Sequence, residues 1–268
     1  MTAGVERIAT AFASAQAEGR RAALMPYMMA GFPDLDRSRE IARAYVEGGA
    51  DLIELGIPFS DPLADGPVIH AAGVAALAAG ATVESALAVA REVAADVPVV
   101  VMCYANLLFV RGVERFADLL IGVGAAGLIV PDLPLEEAPA VLRACDERGL
   151  ALVPLIAPTT PAGRLASIGA RARGFMYAVS VTGTTGERSA NDAGLAQVLA
   201  HARASTEVPV AVGFGISSPQ QAAAAAEAGA DGVIVGTRLV RAAGADTVAQ
   251  VRELVTEFAT ALRDRVLG

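Results

Sequence analysis

Glu47-Gly48-Gly49-Ala50-Asp51-Leu52-Ile53-Glu54-Leu55-Gly56 aligns without a gap to Glu227-Ala228-Gly229-Ala230-Asp231-Gly232-Val233-Ile234-Val235-Gly236. Each copy reads as the end of a helix, a tight turn and an apolar strand. A strand-and-turn unit that recurs within one chain is the signature of a repeated βα architecture. Outward from these two copies, short apolar runs alternate with Ala-rich stretches of helical period. The strand candidates are residues 24–29, 52–55, 97–103, 128–130, 152–156, 175–179, 208–212 and 233–235. They are apolar on both sides, as fully buried parallel strands are.

Helix candidates between them include 38–47, 83–94, 113–123, 135–148, 161–170, 193–204 and 219–228. Ser218-Pro219-Gln220-Gln221 carries an N-cap serine, a proline at the first helical position and the glutamine of a capping box. Gly229 stands where a glycine ends that helix. Thr82 and Thr160 are placed to cap two others. About eight strand–helix units without a linker-like break predict one domain over residues 1–268. Its expected form is a single (β/α)8 TIM barrel with an additional N-terminal helix, residues 5–17, covering the barrel's bottom.

The aligned copies differ at one telling position. Leu52 and Glu54 share a face of their strand, while Ile53 and Leu55 point the other way, towards helices. Glu54 therefore takes an inward position that the second copy fills with Ile234. A lone carboxylate there costs several kcal/mol unless it is paired, neutralised or used. A paired or solvated strand-end acid is the ordinary alternative. The following loop, Gly56-Ile57-Pro58-Phe59-Ser60-Asp61-Pro62-Leu63-Ala64-Asp65-Gly66-Pro67, favours use. Its alternating prolines and glycines set defined backbone angles, and Asp65 supplies a second carboxylate. Two carboxylates in different surroundings can hold separated pKa values suited to acid–base work. Asp61, within Ser60-Asp61-Pro62, reads first as a turn initiator.

Three strand ends near the carboxyl terminus bear glycines and hydroxyls: Thr182-Gly183-Thr184-Thr185-Gly186, Gly213-Phe214-Gly215-Ile216-Ser217 and Gly236-Thr237. Loops after the seventh and eighth strands of such barrels commonly hold a phosphate. Large side chains also gather at predicted strand ends: Tyr27, Met102, Tyr104, Leu155, Tyr177 and Phe214. In a chain with only 4% aromatics, four at the mouth suggest a flat apolar ligand.

Several classes are disfavoured. A net charge of −8 argues against nucleic-acid or anionic-membrane partners. Cys103 and Cys145 fit neither a metal knuckle nor a disulfide framework, and Cys103 lies in an apolar run. His70 and His201 make no metal triad, and Ser180 and Ser217 lack an evident base. The glycine triplets lack the dinucleotide fingerprint. The first 21 residues lack a secretory pattern, and no apolar run reaches the roughly 18 residues of a membrane span. The expectation is a soluble, cytoplasmic protein.

The chain also resembles the tryptophan synthase alpha subunit family along nearly its whole length. The resemblance is carried by Pro26-Tyr27-Met28-Met29-Ala30-Gly31-Phe32-Pro33, residues 54–67, Tyr104-Ala105-Asn106, Pro131-Asp132-Leu133-Pro134, residues 182–186, Gly213-Phe214-Gly215-Ile216-Ser217 and Gly236-Thr237. It implies a lyase that cleaves indole-3-glycerol phosphate to indole and glyceraldehyde 3-phosphate. Glu54 matches the catalytic glutamate, Asp65 the aspartate that holds the indole N–H, and Tyr177 the tyrosine beside the glutamate. Tyr27, Met102, Tyr104, Leu155, Thr185 and Phe214 fall at indole-pocket positions; Gly186, Gly215, Gly236 and Thr237 fall at the phosphate site. The resemblance further implies a beta-subunit partner in an α2β2 assembly, with Asp61, Pro62, Asn106 and Pro134 near the interface. Residues 182–188 would close over the substrate. No cofactor is expected on this chain, and pyridoxal phosphate is expected on the partner. Three positions depart from the family pattern: Val181 for arginine, Thr237 for serine and Tyr27 for phenylalanine. A phosphoribosyl-sugar isomerase barrel shares the late phosphate site without needing the Glu54–Asp65 loop. A mainly partner-activating binding subunit is the non-enzymatic alternative.

Overall fold

The computed structural model describes residues 3–179, 192–213 and 215–263. Its strands are β1 (Ala23–Met29), β2 (Ile53–Gly56), β3 (Val99–Met102), β4 (Gly127–Ile129), β5 (Ala151–Leu152), β6 (Leu155–Ile156), β7 (Met176–Val179), β8 (Val210–Gly213) and β9 (Gly232–Val235). All pair in parallel, in the order β5-β4-β3-β2-β1-β9-β8-β7-β6. The two ends of that list are halves of one run. Val153 N donates to Leu128 O on one side (2.9 Å), and Pro154 O accepts from Tyr177 N on the other (2.9 Å). The cylinder closes there, giving eight βα units as expected. The run 152–156 is split because Pro154 has no N–H to place in a ladder.

The helices are α1 (Gly4–Ala17), α2 (Leu35–Glu47), α3 (Pro67–Ala78), α4 (Val83–Val93), α5 (Ala105–Arg111), α6 (Val113–Gly122), α7 (Ala138–Asp146), α8 (Ala162–Gly169), α9 (Asp192–Arg203), α10 (Pro219–Glu227), α11 (Thr237–Ala245) and α12 (Val248–Ala261). The α10 capping box forms: the Ser218 hydroxyl accepts from Gln221 N, and Gln221 Oε1 accepts from Ser218 N. Gly229 follows with φ +104°. Thr82 caps α4 with Ser85 answering. Thr160 does not cap α8. The cap position there is Pro161, and the Thr160 hydroxyl instead accepts from Ala157 N (2.9 Å). Among the described residues, no single helix is long and apolar enough to cross a membrane.

The two strand faces separate as the alternation predicts. Leu24, Ile53, Leu55, Val99, Val101, Val233 and Val235 pack outward under the helices. Met25, Tyr27, Leu52, Val100, Ile129, Phe175, Tyr177, Ala211 and Ile234 fill the interior. Helix α1 stops the bottom: Ile8, Phe12 and Ala15 join the interior cluster, and the Phe12 and Phe175 rings meet at 6.0 Å. The aspartates of the two aligned copies do the same work there. Asp51 Oδ2 accepts from Leu24 N (2.8 Å) and from Arg20 Nη1 (2.8 Å). Asp231 Oδ2 accepts from Val210 N (2.9 Å), while its Oδ1 pairs with Arg203.

Candidate active site

The opposite end, where the strands finish, gathers the predicted side chains. Glu54 stands on β2 between Tyr27 of β1 and Val100 of β3 in the ladder. It is only 2% exposed, and neither carboxylate oxygen has a hydrogen-bond partner among the described residues. The ordinary alternative, a solvated or ion-paired acid, does not describe it. Burial first, and the nearby Asp65 carboxylate second, push its pKa up to about 8. A neutral carboxyl in an apolar interior is the expected response to such desolvation.

Asp65 is held by its loop. Tyr104 Oη donates to Asp65 Oδ1 (3.0 Å) and accepts from Ala64 N (3.0 Å). The Tyr104 ring stacks on Phe59 with centroids 5.2 Å apart. One tyrosine thus ties three points of the acidic loop together, a link no local sequence pattern announces. Burial raises the Asp65 pKa, and the Tyr104 hydrogen bond and His70 act against that rise. Asp61 behaves as a turn residue: it is exposed and accepts from the Ser60 hydroxyl (2.6 Å), and Pro62 O accepts from Asp65 N (3.2 Å).

Two further tyrosines line the interior. Tyr27 and Tyr177 are 6% and 7% exposed. A Cβ built on Gly56 would strike the Tyr27 hydroxyl, and one on Gly213 would strike that of Tyr177. Those glycines are required for space. Met102 and Leu155 are half-buried at the ends of their strands. Thr185, Gly186 and Phe214 lie outside the described residues, as do Ser180, Val181 and the rest of residues 182–188.

Helix α11 begins at this same end with Gly236 as its N-cap and no side-chain cap. The neighbouring α10 is capped by its own serine and glutamine. An uncapped helix start leaves backbone N–H groups and the positive end of the dipole available to an anion. Thr237 is the exposed first residue of α11, and Gly215, with φ +76°, has open space where a side chain would project.

At the rim, Asn106 on α5 and Pro134 are exposed. Asp132 Oδ1 accepts from Ala105 N (2.8 Å), joining their two loops. Leu63, Phe109 and Val110 are large apolar residues exposed on the same rim segments. They were not singled out from sequence, although the run Leu107-Leu108-Phe109-Val110 follows a strand end directly. The assembled site brings together a buried carboxyl, a second carboxylate, tyrosine rings and an uncapped helix start.

Comparisons with known proteins bear on the family of this chain. The family model described as tryptophan synthase alpha chain matches residues 12–266. The tryptophan synthase alpha chain of Prochlorococcus marinus (strain MIT 9313) is 49% identical over 259 residues, covering 96% of this chain and 94% of that one. That of Methanosarcina mazei is 48% identical over 224 residues, covering 84% and 82%. Among solved structures, a chain of Mycobacterium tuberculosis tryptophan synthase superposes with a TM-score of 0.90 at 40% identity, covering 97% of this chain and 99% of that one. The alpha subunit from Legionella pneumophila (strain Paris) gives 0.86 at 35% identity, covering 96% and 98%. This chain belongs to the tryptophan synthase alpha chain family.

Proposed function

We propose that this chain cleaves indole-3-glycerol phosphate to indole and glyceraldehyde 3-phosphate, a carbon–carbon lyase reaction. The observation that carries the reading is Glu54, a carboxyl 2% exposed inside the barrel with no hydrogen-bond partner among the described residues, beside a second carboxylate. In this mechanism, neutral Glu54 gives its proton to indole C3, and positive charge develops on the ring nitrogen. Asp65 accepts the ring N–H and balances that charge. The Glu54 carboxylate then takes the proton of the glycerol hydroxyl next to the breaking bond. That bond's electrons return to the ring, the hydroxyl carbon becomes the aldehyde, and Glu54 is neutral again.

Tyr27, Met102, Tyr104 and Leu155 form the indole walls in this reading, with Thr185 and Phe214 completing them and Tyr177 beside Glu54. The α11 start, with Gly236 and Thr237, holds the phosphate, helped by Gly215 and Gly186. The assembly proposed is α2β2, in the cytoplasm, with the whole chain acting as one catalytic domain. Asp61, Pro62, Asn106 and Pro134 meet the beta subunit. Pyridoxal phosphate belongs to that partner. This chain contains no lysine at all, so it has no ε-amine to form the Schiff base that pyridoxal chemistry requires.

The deciding experiment assays cleavage of indole-3-glycerol phosphate by the native chain and Glu54→Gln, with and without a beta subunit. The native chain is expected to release indole, and Glu54→Gln to release none while still binding glycerol phosphate. Turnover by Glu54→Gln removes Glu54 from the mechanism. No observation favours the isomerase or the purely activating alternative.

A further inference from the structure

A buried carboxylate needs hydrogen-bond donors while it carries charge, and Glu54 must be charged during part of any proton-transfer cycle. Both of its oxygens are unpartnered among the described residues. Among the described residues three polar groups interact with it: Tyr27 from β1, Tyr177 from β7 and Asp65 from the rim. Asp65 is an acceptor when ionised. The Tyr104 hydroxyl is already spent on Asp65. Among the described residues the donors left over are the hydroxyls of Tyr27 and Tyr177.

These two tyrosines occupy equivalent places. Tyr27 sits opposite Glu54 in the ladder, with Gly56 two residues on; Tyr177 sits opposite Ala211, with Gly213 two residues on. In both cases the phenol leans over the neighbouring strand's glycine. Glu54 and Gly56 are on the same face of β2, so the Glu54 side chain shares the face that the Tyr27 phenol leans over, although the two make no hydrogen bond in this structure. The Tyr27 backbone is fixed from outside by Tyr45, whose hydroxyl donates to Tyr27 O (3.3 Å). Its ring is backed by Gly236, where a Cβ would sit 3.7 Å from Tyr27 Cβ.

We infer that Tyr27 is a positioning residue whose hydroxyl donates to the Glu54 carboxylate, as one of a matched pair with Tyr177. The inference rests on the reading of Glu54 as the proton carrier. Burial raises the pKa of both phenols well above its usual value, so both stay protonated donors at working pH.

The test is Tyr27→Phe in the full chain, which keeps the ring and removes one oxygen. Glu54 is titrated directly by NMR in protein labelled with δ-13C glutamate, its signal assigned with Glu54→Gln. A charged group depends more on its hydrogen bonds than a neutral one, so loss of the donor is expected to raise the Glu54 pKa by about one unit or more. The alkaline limb of kcat/KM should move upward by the same amount, a displacement that general damage to the fold does not produce. Tyr177→Phe should shift the titration in the same direction, and the double variant further. An unchanged Glu54 titration in Tyr27→Phe overturns the inference. Persistent cleavage by Glu54→Gln would instead overturn the proposed reaction, whatever the titration shows.

Discussion

Burial keeps the Glu54 carboxyl neutral up to about pH 8, with two measurable consequences. The form proposed to donate the first proton is the neutral one. For the native enzyme, kcat/KM should therefore hold below about pH 8 and fall tenfold per unit above it; a limb near the ordinary glutamate range contradicts that assignment. Stability follows the same titration. The folded pKa lies above the ordinary glutamate value of 4.5, so the carboxyl's contribution is fully present below about 4.5 and is lost as pH rises through about 8. Glu54→Gln removes that loss. It should melt at a higher temperature than the native chain, and its stability advantage should widen between pH 5 and 8 to about a few kcal/mol. A constant margin would mean that Glu54 is charged throughout that range.

Helix α11 offers a separate test, because its start can be altered without disturbing the barrel. Gly236 has φ −105°, open to any residue, and the three described atoms nearest an added Cβ are all Tyr27's, at ordinary contact distance. Gly236→Ala should leave the melting temperature within about 1–2 °C of native while raising KM for the phosphate substrate several-fold, read from steady-state kinetics. An unchanged KM moves the phosphate elsewhere. At this scale the sequence was legible where periodicity and capping chemistry decide. The repeated Gly-Ala-Asp turns, the inward face of Glu54 and the capping box of α10 all stand as read. What escaped was set by contacts distant in sequence. The split at Pro154 depends on which neighbours need an N–H from strand five, although the proline itself was in plain view. Helices α3 and α5 follow strand ends in stretches read mainly for their loop residues. Tyr104 joins Asp65 and Phe59 across about 40 residues of chain, and Tyr27 needs the space over Gly56; neither link has a local signature.

The whole molecule divides its labour between two ends. The bottom carries the clamps of Asp51 and Asp231, and the mouth carries the candidate chemistry, the division usual in this architecture. Asp51→Ala breaks an ion pair in which both side chains are under 10% exposed and leaves Leu24 N without its acceptor. It should cost about 3 kcal/mol, a fall of several degrees in Tm, with kcat unchanged in the surviving folded protein. A fall in kcat without a fall in Tm would mean that the two ends are not independent. Helix α1, wedged into the floor through Ile8, Phe12 and Ala15, has a consequence for traffic. Among the described residues, a vessel stopped at its base opens at its rim. Substrate must enter, and indole and triose phosphate must leave, past the same rim that carries Leu63, Phe109 and Val110. Any neighbour seated on that rim governs arrivals and departures alike, and the order in which the two products part becomes a property of the pair.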